Sequence, residues 1–191
     1  MYNSEILNRK EIAMPPKRKR GEHPTRSAKR HKVGHACVMP FYVGSQPCTE
    51  STTYLERLAK NNESTLHRSS QFSPAHLSNA LLKYEPSDVS ELIIYVLAHG
   101  DPNLIGDNNT AMNFIEVANI FNENKNKLQE FKTLSIYIDA CNSGTSVRNR
   151  SSFIEEFFMR LSPTLQEITK VFGFAGFLIY SRGKKQASYL L

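Results

Sequence analysis

The sequence predicts an α/β protein: a three-layer sandwich with a mainly parallel central sheet flanked by helices. Two apolar runs, Glu91–Ala98 and Thr133–Asp139, have the continuous hydrophobic character of strands buried on both faces. Segments with apolar residues at helical spacing lie between and around these runs, and the chain shows no internal repeat. Strands that alternate with helices in this way favour a parallel sheet covered by helices.

The first elements follow from apolar spacing and from capping residues. The run Cys37–Val43 predicts the first strand, and helical spacing predicts helices at Thr53–Lys60 and Pro74–Tyr84. Ser73, directly before Pro74, has the pattern of an N-cap followed by a first-turn proline.

The same reasoning gives the second half of the chain. A polar loop is predicted at His99–Asn109, between the strand that ends at Ala98 and the next helix. Besides the strand at 133–139, two helices are predicted, at Met112–Phe131 and at Ser151–Lys170, the second with a bend at Pro163. One or two final strands are predicted at Val171–Phe174 and Phe177–Tyr180.

The excess positive charge lies in one part of the chain. Residues 1–35 hold ten basic and three acidic side chains, a net +7, whereas residues 36–191 hold 14 and 15, a net −1. Little in the first part could be buried, so residues 1–35 are predicted to be a disordered basic arm and residues 36–191 a folded domain. A near-neutral domain argues against a basic globular nucleic-acid binder. The clusters Lys17–Arg20 and Lys29–Lys32 make a nuclear-import signal or another polyanion contact a candidate role of the arm.

The cysteine content and the hydropathy exclude several classes of protein. Cys37, Cys48 and Cys141 are too few for a disulfide framework and include no CxxC pair for zinc or redox chemistry. No acidic cluster is dense enough for a calcium site, so we expect no metal and no cofactor. No apolar run reaches the roughly 20 residues of a membrane span, and the first residues lack the apolar stretch of a signal peptide. We therefore expect a cytoplasmic or nuclear site of action.

Reactive side chains follow both of the strongest predicted strands. The sequence His-Gly-Asp stands at 99–101, and Asp-Ala-Cys-Asn-Ser-Gly stands at 139–144. The working groups of parallel sheets lie beyond the carboxyl ends of the strands, so the imidazole of His99 and the thiol of Cys141 are expected to meet there. A thiol and an imidazole within reach of each other are what a cysteine peptidase requires. The backbone N–H groups of Gly100 and Cys141 are candidate donors to the developing oxyanion.

With these motifs the chain resembles the caspase-like cysteine peptidases, the group of caspases, metacaspases, legumain, clostripain, gingipains and the self-processing protease domains of bacterial toxins. The shared order is an apolar strand ending in His-Gly, then a helix, then an apolar strand ending in Asp-Ala-Cys. The resemblance covers about residues 36–182, and the 42 positions from His99 to Cys141 are of the size seen in caspases. It implies a caspase-like sandwich, with Cys141 as nucleophile and His99 as general acid/base.

Two residues are candidates for substrate binding. Arg182 resembles the basic residue that holds an acidic P1 side chain in caspases, and a guanidinium binds a carboxylate in bidentate fashion. The alternative is that Arg182 belongs to an exposed basic turn. Asp139 is either a substrate-binding carboxylate or, as we favour, a structural carboxylate that binds nearby N–H groups.

The resulting expectation is a cysteine endopeptidase with protein or peptide substrates. By analogy with toxin domains, the arm adds the hypothesis of a bacterial effector or toxin protease that acts inside a target cell. The alternative is a catalytically inactive caspase-like binding module whose basic arm binds nucleic acid or an importin. Only fifty residues follow Cys141, fewer than in caspases, which argues against dimerisation through a caspase small subunit.

Overall fold

The computed structural model describes residues 35–44, 49–62, 67–69, 72–107, 109–146, 151–181 and 184–188. All of them belong to one unit, residues 31–191. The arm predicted for residues 1–35 lies outside the described residues except for His35, and Arg182 and Cys48 also lie outside them.

Strands and helices alternate along most of the chain. In order they are β1 (His35–Val43), α1 (Thr49–Asn61), β2 (His67–Ser69), α2 (Pro74–Leu81), β3 (Val89–Ala98), β4 (Leu104–Ile105), β5 (Met112–Asn113), α3 (Phe114–Glu123), α4 (Lys125–Leu128), β6 (Leu134–Asp139), α5 (Phe153–Arg160), α6 (Pro163–Ile168), β7 (Thr169–Phe172), β8 (Phe177–Ser181) and β9 (Lys184–Ser188).

The central sheet has five strands in the order β2-β1-β3-β6-β7, and every pair in it is parallel. The three-residue β2 lies at one edge and β7 at the other. Leu97 of β3 pairs with Asp139 of β6 at the carboxyl ends of these two central strands. The predicted α/β class with a mainly parallel sheet is confirmed.

Helices cover both faces of this sheet. On one face the fully buried residues of β1, β3 and β6 pack against α2, α3, α5 and α6; they include Met39 and Phe41, Leu92, Ile94 and Val96, and Leu134, Ile136 and Ile138. The alternate residues of the strands point to the opposite face, where Tyr42 and Leu97 pack against Leu55 of α1. The sheet therefore lies between two helical layers, as the predicted sandwich requires.

Three helices begin at side-chain caps that the sequence encodes. Ser73 accepts a hydrogen bond from the His76 N–H at the start of α2, as predicted. Asn113 and Ser152 form capping boxes with the glutamates three residues further on, at the starts of α3 and α5. The caps fix where α3 and α5 enter the core layer.

Both long predicted helices are interrupted. The helix predicted at Met112–Phe131 breaks at Asn124, whose buried side-chain amide donates to the carbonyls of Ile120 and Pro74. The helix predicted at Ser151–Lys170 is divided between Arg160 and Pro163, where Asn122 of α3 donates to the Arg160 carbonyl and accepts from the Ser162 N–H. The predicted bend at Pro163 is confirmed, since α6 begins there.

Short strands appear where none was predicted. The loop predicted at His99–Asn109 contains β4, which pairs with β5 in an antiparallel hairpin. The last strand of the parallel sheet, β7, begins at Thr169, two residues earlier than predicted. The strand predicted at Phe177–Tyr180 is β8, and it pairs with the unpredicted β9 in a separate antiparallel sheet.

No helix of the described ranges is both long enough and apolar enough to span a lipid bilayer.

Candidate active site

His99 and Cys141 lie beyond the carboxyl ends of two adjacent strands. Leu97 of β3 and Asp139 of β6 are the last paired residues of the two strands. His99 follows two positions after Leu97, and Cys141 two positions after Asp139. Neighbouring strands are about 4.8 Å apart, so the strands deliver the two residues to one edge of the sheet. The side chain of His99 is exposed and that of Cys141 is half-buried. The structure thus places both motifs at the same edge of the sheet.

Gly100 is the point at which the two motifs touch. A Cβ at this position would lie 2.7 Å from the Cβ of Ala140 and 3.2 Å from the carbonyl oxygen of Cys141. Cβ contacts of this kind essentially never come below 3.0 Å, so residue 100 must be glycine for the backbones to approach this closely. The His-Gly and Ala-Cys segments are therefore in direct contact.

The loop after His99 is held by hydrogen bonds within itself. The carbonyl of His99 accepts from the Gly106 N–H at 2.8 Å, and the Asp101 N–H donates to the Leu104 carbonyl at 3.0 Å. The Asp101 carboxylate accepts from the N–H groups of Asn103 and Leu104 at 2.7 and 2.9 Å. Asp101 is thus a turn-forming residue that fixes the loop carrying His99.

The far end of this loop depends on Gly106 and Asp107. Gly106 has φ +109°, and a Cβ there would collide with the Thr110 carbonyl. The Asp107 carboxylate accepts from the Thr110 hydroxyl at 2.9 Å and from the Asn109 N–H at 3.2 Å. The β4–β5 hairpin is closed in this way, and its Ile105 is fully buried beneath the site.

The turn that carries Cys141 is held by a distant segment. The Asn142 N–H donates to the Gly176 carbonyl at 2.7 Å, and the Gly144 N–H donates to the Phe174 carbonyl at 2.9 Å. Asn142 has φ 57°, a left-handed conformation that asparagine tolerates better than most residues. This gives Asn142, to which the sequence assigned no role, a conformational one.

Ser143 is a site residue that the sequence analysis missed. Its side chain is fully buried, and its hydroxyl donates to the Ile138 carbonyl at 2.9 Å and accepts from the Phe174 N–H at 3.1 Å. Its own carbonyl accepts from the Ile154 N–H, at the start of α5. The only sequence signal was a small polar residue two positions after the cysteine.

Asp139 lies beneath the site and not at its surface. Its side chain is fully buried near the phenols of Tyr54, Tyr95 and Tyr137. Burial raises the pKa of all three phenols above the ordinary value, and the neighbouring carboxylate of Asp139 adds to the effect. The phenols are therefore neutral at pH 7. These surroundings favour the structural role of Asp139 over substrate binding.

A row of stacked rings crosses the sheet on the same face. The ring centroids of Tyr95 and Tyr137 are 4.6 Å apart, and those of Tyr137 and Phe172 are 4.5 Å apart. The three residues stand opposite one another on β3, β6 and β7. Contacts of this kind fix the register of neighbouring strands, and with it the alignment of their ends.

Cys37 differs from Cys141 in place and in chemistry. It lies on β1 and packs against the main core cluster. Burial raises the pKa of its thiol to about 11, an effect partly offset by a hydrogen bond with Tyr84. A thiol with this pKa is almost wholly protonated at pH 7 and is a poor nucleophile. Neither Cys37 nor Cys141 is in a disulfide.

Within the described part of the chain, no group of three or more His, Cys, Asp or Glu side chains could hold a metal ion. A thiol and an imidazole beyond the ends of adjacent parallel strands are an arrangement suited to acyl transfer.

Comparison with known proteins agrees with this class. The sequence model of the peptidase C13 family matches residues 52–156, which is more than half of the chain and includes both motifs. The chain belongs to the peptidase C13 family, the legumain family of cysteine peptidases in the caspase-like clan. The resemblance stated from the sequence is confirmed. No curated protein matches the chain.

Proposed function

We propose that this cysteine peptidase is an endopeptidase that uses Cys141 as nucleophile and His99 as general acid and base. The observation that carries the proposal is the contact of Gly100 with Ala140 and Cys141. This contact leaves His99 one residue away from the segment that carries the thiol. The exposed imidazole and the half-buried thiol are then both accessible to a peptide in the crevice.

Acylation is the first step. The Cys141 sulfur, as the thiolate, forms a bond to the carbonyl carbon of the substrate, and the carbonyl π electrons move to the oxygen. When the C–O double bond re-forms, the C–N bond breaks, and His99 donates a proton to the leaving amine. The product is a thioester between the acyl part of the substrate and Cys141.

Deacylation returns the enzyme to its starting state. His99, now neutral, removes a proton from a water molecule that attacks the thioester carbon. The C–S bond breaks, the acid product leaves, and the thiolate of Cys141 re-forms beside the protonated imidazole. No redox partner and no further reactant are needed.

The oxyanion of both steps requires two hydrogen-bond donors. The hairpin bonds beside Gly100 are made by the N–H groups of Asp101 and Gly106. The Gly100 N–H is not one of these donors, and Gly100 itself lies against Ala140 and Cys141. We assign it, together with the Cys141 N–H, to the oxyanion.

Substrate recognition is the second part of the proposal. The burial of Asp139 among tyrosines supports a role in holding the strand end under the nucleophile. Arg182, outside the described residues, keeps the proposed role of binding an acidic P1 side chain. A peptide library in which P1 is varied tests this, because Arg182→Ala should then lower cleavage after acidic residues selectively.

The experiment that tests the catalytic proposal compares three single variants on a fluorogenic peptide library. We expect Cys141→Ala to reduce kcat/KM by at least about 10³-fold and His99→Ala by about 10²-fold or more, because one removes the nucleophile and the other the proton carrier. Cys37→Ala is the matched control, and its kcat should stay close to that of the wild type.

Labelling of the intact protein gives a second readout. Iodoacetamide and a peptide acyloxymethyl ketone should modify Cys141 much faster than Cys37, whose protonated thiol reacts slowly. A wild-type protein that cleaves no peptide, and whose Cys141 reacts no faster than Cys37, would refute the proposal. In that case the catalytically inactive binding module becomes the favoured function.

The basic arm carries the remaining proposals, which rest on its sequence. Its net charge of +7 suits an importin or a polyanion, and an intracellular site of action, including delivery into a target cell, is the setting we propose for the enzyme. Binding that collapses as salt rises and disappears on deletion of residues 1–35 would support the polyanion contact.

A further inference from the structure

We propose that Ser143 is a positioning residue for Cys141: its buried hydroxyl sets the conformation of the nucleophile turn by binding the end of β6 and the segment Gly173–Gly176 at once. The inference rests on the proposed function and extends it. The side chain of Ser143 has no exposed surface, so it does not contact the substrate in this role.

The Ser143 hydroxyl both donates and accepts a hydrogen bond. It donates to the Ile138 carbonyl, five residues back in β6, and accepts from the Phe174 N–H, 31 residues ahead. The turn that contains Cys141 lies between these two partners along the chain. A single oxygen therefore joins the strand, the turn and the segment that follows β7.

Close packing leaves this oxygen little freedom. A Cβ at Gly173 would lie 2.9 Å from the Ser143 hydroxyl oxygen and 2.6 Å from a methyl group of Ile154. A Cβ at Gly144 would lie 3.2 Å from the Phe174 backbone. Serine is thus the small side chain that fits here and also satisfies both Ile138 and Phe174.

Backbone hydrogen bonds to the segment Gly173–Gly176 also hold the turn that contains Cys141. Gly176 accepts from the Asn142 N–H and Phe174 accepts from the Gly144 N–H, so Cys141 lies just ahead of two anchored residues. Loss of the Ser143 hydroxyl would remove its buried hydrogen bond to the Ile138 carbonyl and its part-buried one from the Phe174 N–H. Removing one partner of a buried hydrogen bond is costly, and the turn would relax to reduce that cost.

The consequence concerns the chemical step and not substrate binding. Displacement of a nucleophile by about 1 Å can lower a rate by about 10²-fold. Since Ser143 does not contact the substrate, kcat should fall while KM changes little.

The test compares Ser143→Ala with Ser135→Ala. Ser135 is the matched control because it is also buried on the strand that precedes the turn, and its hydroxyl donates to the Glu91 carboxylate at 2.6 Å. Each variant removes one buried hydroxyl, but only Ser143 is bonded to the turn. We expect Ser143→Ala to lower kcat by roughly 10- to 100-fold with KM within about twofold, and Ser135→Ala to keep kcat within about threefold.

Hydrogen exchange supplies a readout that needs no peptidase activity. The amides of Phe174 and Gly144 should exchange at least about tenfold faster in Ser143→Ala and should be unchanged in Ser135→Ala. Unchanged exchange in Ser143→Ala, or an equal loss of kcat in both variants, would overturn the inference. The wild type could show no peptidase activity while hydrogen exchange in Ser143→Ala changes as expected. The proposed function would then be refuted, and the role of Ser143 in fixing the turn would be supported.

A second variant covers the case in which Ser143→Ala does not fold. Gly173→Ala keeps the hydroxyl but crowds its oxygen, so it should lower kcat in the same direction with KM preserved. A folded Gly173→Ala protein with wild-type kcat and wild-type exchange at Phe174 would overturn the inference.

Discussion

The candidate site has two halves, the loop after β3 that carries His99 and the turn after β6 that carries Cys141, and different hydrogen bonds hold them. The loop after β3 is closed by partners at most seven positions apart, such as Asp101 with Asn103 and Leu104, and Gly106 with His99. The turn after β6 is held by Phe174 and Gly176, thirty or more positions ahead. The position of the histidine is therefore encoded locally, whereas that of the cysteine depends on the fold.

The largest effect should come from the point where the halves meet. Gly100→Ala places a Cβ against Ala140 and the Cys141 carbonyl, so the two motifs must separate. We expect kcat/KM to fall by about 10²-fold or more and the free energy of unfolding to fall by about 1–3 kcal/mol. Peptide cleavage and denaturant unfolding measure the two effects.

A second substitution sharpens this prediction. Ala140→Gly removes the atom that the new Cβ would meet at 2.7 Å, so the double variant should recover part of both losses. Additive losses in the double variant, or wild-type activity in Gly100→Ala alone, would contradict the contact on which the site depends.

A smaller effect should be confined to the histidine half. Asp101→Ala leaves the N–H groups of Asn103 and Leu104 without their acceptor, at a cost of about 1 kcal/mol. Exchange of these two amides should accelerate while that of Asn142 and Gly144 stays as in the wild type, and kcat should fall only several-fold. Asp101→Asn, which keeps an acceptor oxygen, serves as the control. Faster exchange throughout both halves would show that they are not independent.

The smallest effect should arise far from both halves, at alkaline pH. Burial raises the pKa of Cys37 from 9.0 to about 11, so the folded state holds this proton more tightly than the unfolded chain does. The corresponding stability is fully present below pH 9 and is lost as the pH rises through about 11. Denaturant unfolding of the wild type and Cys37→Ala between pH 8 and pH 11 should show a smaller decline for the variant. Parallel declines would mean that other groups, such as the buried tyrosines, account for the loss.

Much of the fold could be predicted from the sequence because its signals are local. The continuous apolar runs at 91–98 and 133–139 predicted buried strands, and Ser73 before Pro74 marked the start of a helix. The break at Asn124 could not be predicted, because it involves a hydrogen bond of Asn124 with Pro74, fifty positions away. The break between Arg160 and Pro163 was predicted as a bend at Pro163, but the hydrogen bonds of Asn122 with Arg160 and Ser162 that hold it were not.

Some residues of the candidate site could also be predicted from the sequence and others could not. His99, Gly100 and Cys141 could be predicted as site residues because each follows a strand of the expected kind, and the family match covers them. Ser143 and Gly173 were not found, because a small residue has no visible function until its neighbours are known. Arg182 stays a prediction from the sequence.

The sequence by itself determined the family, the parallel sheet and the two strand ends that carry the histidine and the cysteine. These follow from apolar runs and short motifs, whose information lies in consecutive residues. The tertiary structure decided that Gly100 lies against Ala140 and Cys141, and that Ser143 binds both Ile138 and Phe174. The physical reason is that close contacts and buried hydrogen bonds depend on which segments, distant in the sequence, lie next to each other. The packing of the whole domain determines this.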